Sequence, residues 1–291
     1  MDANELLKKV RKIEIKTRGL SRNIFAGEYH SAFKGRGMTF SEVREYQYGD
    51  DIRDIDWNVT ARHNHPYVKV YEEERELTVM LLIDVSGSRL FGAVGVEKRE
   101  MIAEIAATLA FSASQNNGKI GVIFFSSKIE KFIPPKKGLR HILYIIRELL
   151  DFTPEENGTD VGHALRYLTD ALKKRCTTFV ISDFIDSHNF YQPMSIASNK
   201  HDVTAIQVYD KRDTDIPDVG LVRMRDLERG TECWVDTSSS KVRKVYSKWW
   251  YERQQAMNDT MNRCRVDCAS VATDEDYVKA LMALFKQRGV K

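Results

Sequence analysis

Asp84, Ser86 and Ser88 stand at alternate positions of a DVSGS segment, residues 84 to 88, directly after the apolar run from Val79 to Ile83. One carboxylate and two hydroxyls spaced this way in a tight loop offer the oxygen ligands that a hard cation such as Mg²⁺ takes in near-octahedral array. The same residues can serve the backbone alone, with Asp84 ending a strand and Ser86, Gly87 and Ser88 turning the chain into a helix. On this segment alone both readings stay open. Two more segments bear on the choice. Thr159 in GTDVGHAL (158 to 165) opens a helical pattern, and Asp183 in ISDF (181 to 184) ends another apolar run. Each has a plain reading of its own, a helix N-cap and a turn residue. In a parallel sheet, however, all of them would lie along one edge, where open α/β sheets gather their ligands.

The elements that must position these residues follow from hydrophobic period. Strands are predicted over LTVMLLID (77 to 84), KIGVIFF (119 to 125), TTFVISD and HDVTAIQVYD (201 to 210), with KIEKFIPP as a short hairpin partner. Between them, Met101, Ile102, Ile105, Leu109 and Ala113 recur at helical spacing, as do Leu139, Ile142, Leu143, Ile146 and Leu149, and then Val161, Ala164, Leu165 and Leu168. Strands alternating with helices predict an α/β fold, a mostly parallel Rossmann-like sheet with helices on both faces. The segments around LVRMRD and CWVD add a small β insertion. A helix from about 239 and a last one carrying Tyr277, Val278, Leu281 and Leu284 complete the chain.

Composition bounds the function classes. With 291 residues, 42% hydrophobic, the chain can bury one large core or one core and a small accessory domain. Its 45 basic and 42 acidic residues leave a net charge of +3, which draws it to neither nucleic acid nor an anionic membrane. Four cysteines without CxxC spacing, no secretory leader and no apolar run near the ~20 residues of a membrane span predict a cytoplasmic protein. The first 76 residues are set apart by their charge: residues 1 to 36 carry 9 basic and 4 acidic side chains, and 41 to 76 carry 5 and 10. They are expected to form an N-terminal extension, with the sheet domain over 77 to 291.

DVSGS, Thr159 and Asp183 together resemble the metal-ion-dependent adhesion site of von Willebrand factor A-type domains. That resemblance implies that Ser86, Ser88 and Thr159 touch the ion through hydroxyls, that Asp84 and Asp183 hold it largely through waters, and that a partner protein's carboxylate fills an open position. Mg²⁺ is the implied cofactor, with Mn²⁺ or Ca²⁺ also accommodated by oxygen ligands. Upstream, GRGMTFSEVREYQYGDDIRDIDWNVTAR followed by VKVYEEERE resembles the bacterial proteins grouped as domain of unknown function 58, closely over residues 35 to 92 and in layout through SVATDEDYVKALMALFKQRG. Members resemble partners of MoxR-type AAA+ ATPases, so the implied role is a non-enzymatic adaptor or assembly factor for such an ATPase or its client. Arg89 stands where many relatives carry Met, and with Asp160 it is a candidate partner-binding residue.

Other readings compete. A phosphatase-like hydrolase could use Asp84 as nucleophile, but the acid that such chemistry needs two residues later is Ser86. DVSGS is also not the GxSxG of a serine hydrolase. Nucleic-acid binding through the basic N-terminal stretch is a third reading, testable by its salt dependence. In GDDIRDIDW, Asp50, Asp51, Asp54 and Asp56 surround Arg53, which is expected to pair internally while Trp57 anchors the segment. His63 and His65 would share a strand face. In KVYSKWWYERQQ (244 to 255), Val242, Val245, Trp249 and Ala256 are expected to form a core face rather than a base-stacking platform.

Overall fold

The structure, a computed structural model, describes residues 39–63, 65–72, 77–87, 92–93, 96–225 and 231–289, together with Arg11 and Ile13. These fall into two compact units, one within Phe33–Leu77 and one within Met1–Ala32 and Thr78–Lys291. Of the acidic run before the first core strand, Glu73, Glu74 and Glu76 lie outside the described residues, as does nearly all of the basic N-terminal stretch.

In the smaller unit, β1 (Thr39–Glu45) pairs antiparallel with β2 (Tyr67–Glu72), and α1 (Trp57–His63) lies between them in sequence. Three acids of the motif are spent on backbone amides, on Arg44 and on Lys69, which lies 3.7 Å from Asp56. Asp51 accepts a hydrogen bond from the Arg53 amide, and Asp56 accepts from the amides of Asn58 and Val59, as short acidic side chains do at turns and helix starts. Asp50 grips Arg44 through two hydrogen bonds of 2.7 and 2.8 Å, and this pairing holds its carboxyl below the usual range. The internal pair is therefore made by Arg44, a β1 residue, whereas Arg53 and Trp57 are exposed. His63 ends α1 and stacks near Tyr67 with centroids 5.4 Å apart, so it shares no strand face with His65.

The larger unit runs β3 (Thr78–Asp84), β4 (Gly92–Ala93), β5 (Val96–Glu97), α2 (Lys98–Gln115), β6 (Lys119–Phe125), β7 (Ile129–Lys136), α3 (Leu139–Asp151), α4 (Val161–Ala171), β8 (Thr177–Ser182), α5 (Tyr191–Lys200), β9 (Asp202–Tyr209), α6 (Lys211–Thr214), β10 (Leu221–Arg225), β11 (Glu232–Asp236), α7 (Ser240–Arg263), β12 (Asp267–Ala272) and α8 (Tyr277–Gly289). Its sheet has the order β12-β9-β8-β3-β6-β7, parallel except for β7. Renumbered within the sheet this is the doubly wound 3-2-1-4-5-6 order, whose switch point falls between β3 and β8.

Val79 to Ile83 are wholly buried because β3 is covered on both faces. Each such side chain contributes roughly 1.5–3 kcal/mol, which makes β3 the centre of the core. Met80 and Leu82 face Leu165 and Leu168 of α4, Met194 of α5 and Met257 and Met261 of α7. On the other face Phe179 meets Phe285 of α8 edge to face, 6.1 Å between centroids. Gly121 lets β7 approach, since a Cβ there would lie 2.9 Å from the Ile133 carbonyl and 2.6 Å from the Met80 sulfur. β10 and β11 form the antiparallel insertion.

The core face expected on α7 is not the one observed. Val245 and Trp249 are exposed at 63% and 39%, and only Met257 and Met261 in the last turns are buried. Arg253 lies over the Trp249 ring, and Trp250 packs on Tyr209. No helix among the described residues is long and apolar enough to cross a membrane.

Candidate functional site

Both predicted carboxylates of the site sit at the switch point, Asp84 as the last residue of β3 and Asp183 as the first residue beyond β8. They are 4% and 5% exposed, while Ser86 is wholly buried and Thr159 is 3% exposed. Polar groups so deeply buried need partners. Asp84 Oδ1 accepts from the Ser86 amide at 2.9 Å, and its Oδ2 accepts from the Ser182 hydroxyl at 2.6 Å. Asp183 Oδ1 accepts from the Ile185 amide at 3.1 Å, and its Oδ2 faces the Lys98 ammonium at 3.3 Å. Next to Asp183, Phe184 takes a left-handed backbone, φ 56°, which costs a bulky residue about 1–3 kcal/mol. Burial of the Phe184 ring against Phe190 offsets that strain.

The loops are stitched together by backbone. The Gly87 amide donates to the Asn157 carbonyl at 3.1 Å, tying the DVSGS loop to the loop before α4. The Asp160 amide donates to Ser126 O at 3.0 Å, which ties that loop to the end of β6. Asp160 is the N-cap of α4, accepting from the His163 amide at 2.7 Å, so Thr159 is not needed as a cap. Arg166 stands 3.6 Å from the Asp160 carboxylate. Ser88 and Arg89 lie outside the described residues.

Electrostatics distinguish this site from an ordinary set of strand-end turns. Burial, and then the neighbouring Asp183 charge, push the Asp84 carboxyl up to about 6, against the pull of its hydrogen bonds. A buried site with surplus negative charge, oxygen-only donors and hydroxyls beside the carboxylates fits a hard divalent cation, and Asp84, Ser86, Thr159 and Asp183 are the described residues that could hold it.

Three participants carried no signal in the residues singled out above. Ser182 directly precedes Asp183 and was hidden within the strand run TTFVIS. Lys98, 2% exposed, is the first residue of α2 and bridges Asp183 to Asp213 at 2.6 Å. Flanked by Glu97 and Arg99, it reads as one of a solvated charge run. Beside the site, Asp186 accepts from the Val161 amide through Oδ2 and from the His188 amide and ring through Oδ1. With Asp160 this makes three potential ligand atoms within 4.8 Å of one another. The Asp186 hydrogen bond raises the His188 imidazole above its ordinary range, and Asp186 in turn holds the Val161 amide at the start of α4. At the far edge, Cys176 lies 3.3 Å from His201, but burial drives the thiol up to about 11 and the imidazole down to about 4. That pair stays neutral and carries no thiolate nucleophile.

The family model described as "Protein of unknown function DUF58" matches residues 42–256. An uncharacterized protein of Mycobacterium tuberculosis strain H37Rv is 28% identical over 292 residues, covering 99% of this chain and 91% of that protein. Bacillus subtilis YeaD, also uncharacterized, is 27% identical over 38% of this chain and 25% of its own length. Among solved structures, BatB of Bacteroides thetaiotaomicron is 16% identical, with a TM-score of 0.48 over 74% of this chain and 100% of that one. The SpRpn10 VWA domain is 10% identical, with a TM-score of 0.41 over 73% and 95%.

Proposed function

We propose that this chain, which belongs to the DUF58 family, is a non-enzymatic protein-binding module whose grip on its partner depends on a divalent ion at Asp84, Ser86, Ser88, Thr159 and Asp183. The observation that carries the reading is the buried Asp84–Asp183 pair at the switch point, set beside the buried Ser86 and Thr159 hydroxyls; burial, and then the Asp183 charge, push the Asp84 carboxyl up, a cost that a cation would relieve. When bound, Mg²⁺, Mn²⁺ or Ca²⁺ would supply an electrophilic coordination position for a carboxylate of the partner. The chain's own residues fix that position: Ser182 and the Ser86 amide orient Asp84, while the Ile185 amide orients Asp183. Arg89 and Asp160 are the candidate partner-binding residues of this reading. The partner in this reading is a MoxR-type AAA+ ATPase or its client, met in the bacterial cytoplasm, and residues 1–76 form an extension to an A-type domain over 77–291.

A phosphatase-like use of Asp84 is less well supported. Its carboxylate is buried and shared between two hydrogen bonds, and Ser86 cannot serve as the acid two positions on.

The test is affinity capture with wild type in Mg²⁺, wild type in EDTA, and Asp84→Ala in Mg²⁺. A partner held only in the first, above all an AAA+ ATPase, supports the reading. The same partners in all three would place the binding surface elsewhere and favour the hydrolase or N-terminal readings.

A further inference from the structure

Lys98 is a strange residue to find inside a cation site. Its side chain is 2% exposed, and its ammonium lies 3.3 Å from Asp183 Oδ2 and 2.6 Å from Asp213 Oδ2. Three elements meet at that nitrogen: the start of α2, the end of β8, and α6 just beyond β9. Asp213 is held in turn, because its Oδ2 accepts from the Asp210 amide at 3.0 Å in the capping box of α6. Asp210 is fixed by the Thr273 hydroxyl at 2.8 Å and by Arg212. The two carboxylates at that nitrogen are the counter-charges that a buried ammonium requires.

We infer that Lys98 is a resident cation of the ion site, a positioning residue that neutralises Asp183 when no metal is bound and weakens the site's hold on a divalent ion. The inference rests on the ion-binding reading of Asp84 and Asp183 given above. Charge counting gives its logic. At this nitrogen Asp183 and Asp213 bring two negative charges and Lys98 one positive charge, so a divalent ion beside Asp183 meets a carboxylate already partly compensated. Of the two candidate ligand carboxylates, Asp183 is the one that Lys98 faces. Asp213 sets how far the ammonium is drawn away from Asp183. The arrangement keeps Asp183 folded without metal and leaves the ion exchangeable.

The probe is Mn²⁺ titrated into full-length, EDTA-stripped protein, read by calorimetry and by the electron paramagnetic resonance of free Mn²⁺. Lys98→Met removes the competing charge at similar volume and is expected to bind Mn²⁺ at least about tenfold more tightly than wild type. Asp213→Asn leaves the ammonium to Asp183 alone and is expected to bind several-fold more weakly. Lys98→Met with Asp84→Ala should lose the gain, which locates the ion. Unchanged or weaker binding by Lys98→Met overturns the inference, as does an unchanged affinity in Asp213→Asn should Lys98→Met fail to fold. If wild type binds Mn²⁺ with an affinity indifferent to both changes, Lys98 is structural and the ion-site reading stands. If no variant binds, both readings fall.

Discussion

Replacing Asp84 by Asn should stabilise this protein in EDTA at neutral pH, the opposite of what most changes to a buried residue do. The folded-state carboxyl is raised from 3.8 to about 6. For a raised acid, the stabilising contribution is complete below 3.8, where the side chain is protonated in both states, and is lost as pH climbs through about 6. Above that pH the ionised Asp84 therefore costs the metal-free fold about 3 kcal/mol. Asn removes the charge and can still accept from the Ser86 amide, but it obliges the Ser182 hydroxyl to turn its donor elsewhere, at about 1 kcal/mol. The net gain is about 2 kcal/mol, or roughly 4–8 °C in midpoint for a domain of this size. Thermal melts from pH 4 to 8 in EDTA would show it above pH 6 and not at pH 4. On the proposed ion-binding role of Asp84, saturating Mg²⁺ should reverse the order, since only wild type would gain stability by binding, about 2.7 kcal/mol at a hundredfold excess over its dissociation constant. A midpoint for Asp84→Asn below that of wild type at pH 7.5 in EDTA, or a difference that ignores pH, would refute the electrostatic account of the site.

Gly121→Ala should destabilise the sheet by about 1–3 kcal/mol, measured by urea unfolding, because its Cβ would meet the Ile133 carbonyl at 2.9 Å and neither strand can retreat cheaply. Arg288 near the end of α8 binds Asp202, Asp267 and the Thr204 hydroxyl while only 12% exposed. Arg288→Ala should cost about 2 kcal/mol, and Arg288→Lys should recover less than half in the same melts, since one ammonium cannot span both carboxylates. Cys233 should react first with a thiol reagent. It is the exposed cysteine, whereas burial lifts the Cys176 and Cys268 thiols to about 11 and also raises that of Cys264. Mass mapping after brief alkylation would check the order.

β3, β6, β8 and β9 were legible because strands covered on both faces read as unbroken apolar runs, and helices α3 and α4 because a strong 3.6 period marks a helix with one buried side, whereas α2 is buried nearly all round and was legible from its length and apolar content. β12 was missed. Its DCASVA is short and small, and its strand state comes from pairing with β9, not from its own pattern. α5 was missed too: in YQPMSIASNK only Pro193, Met194 and Ala197 are buried, too few to show a period. The α7 face was misplaced because periodicity tells which residues share a side, not which stretch of a 24-residue helix meets the core. At the site, Asp84 and Asp183 announced themselves by following apolar runs. Lys98 could not, since a lysine among charges looks solvated, and its burial depends on a carboxylate 115 positions later in the chain.

The central place of β3 also has a consequence for synthesis. The strand that carries Asp84 is the first of the sheet to leave the ribosome, yet its two neighbours are β6 and β8, and β8 is not finished until Ser182. The counter-charge network closes later still, at Asp213. At translation rates of about 5–20 residues per second, Asp84 waits roughly 5–20 s for the Ser182 hydroxyl, and roughly 6–26 s pass before Asp213 exists. During that interval a nascent chain carries a largely apolar strand with one edge unpaired and an acid still without its Ser182 hydrogen bond. Pairing of β3 with β6 and cover by α2, complete by residue 125, is the earliest shelter the topology allows.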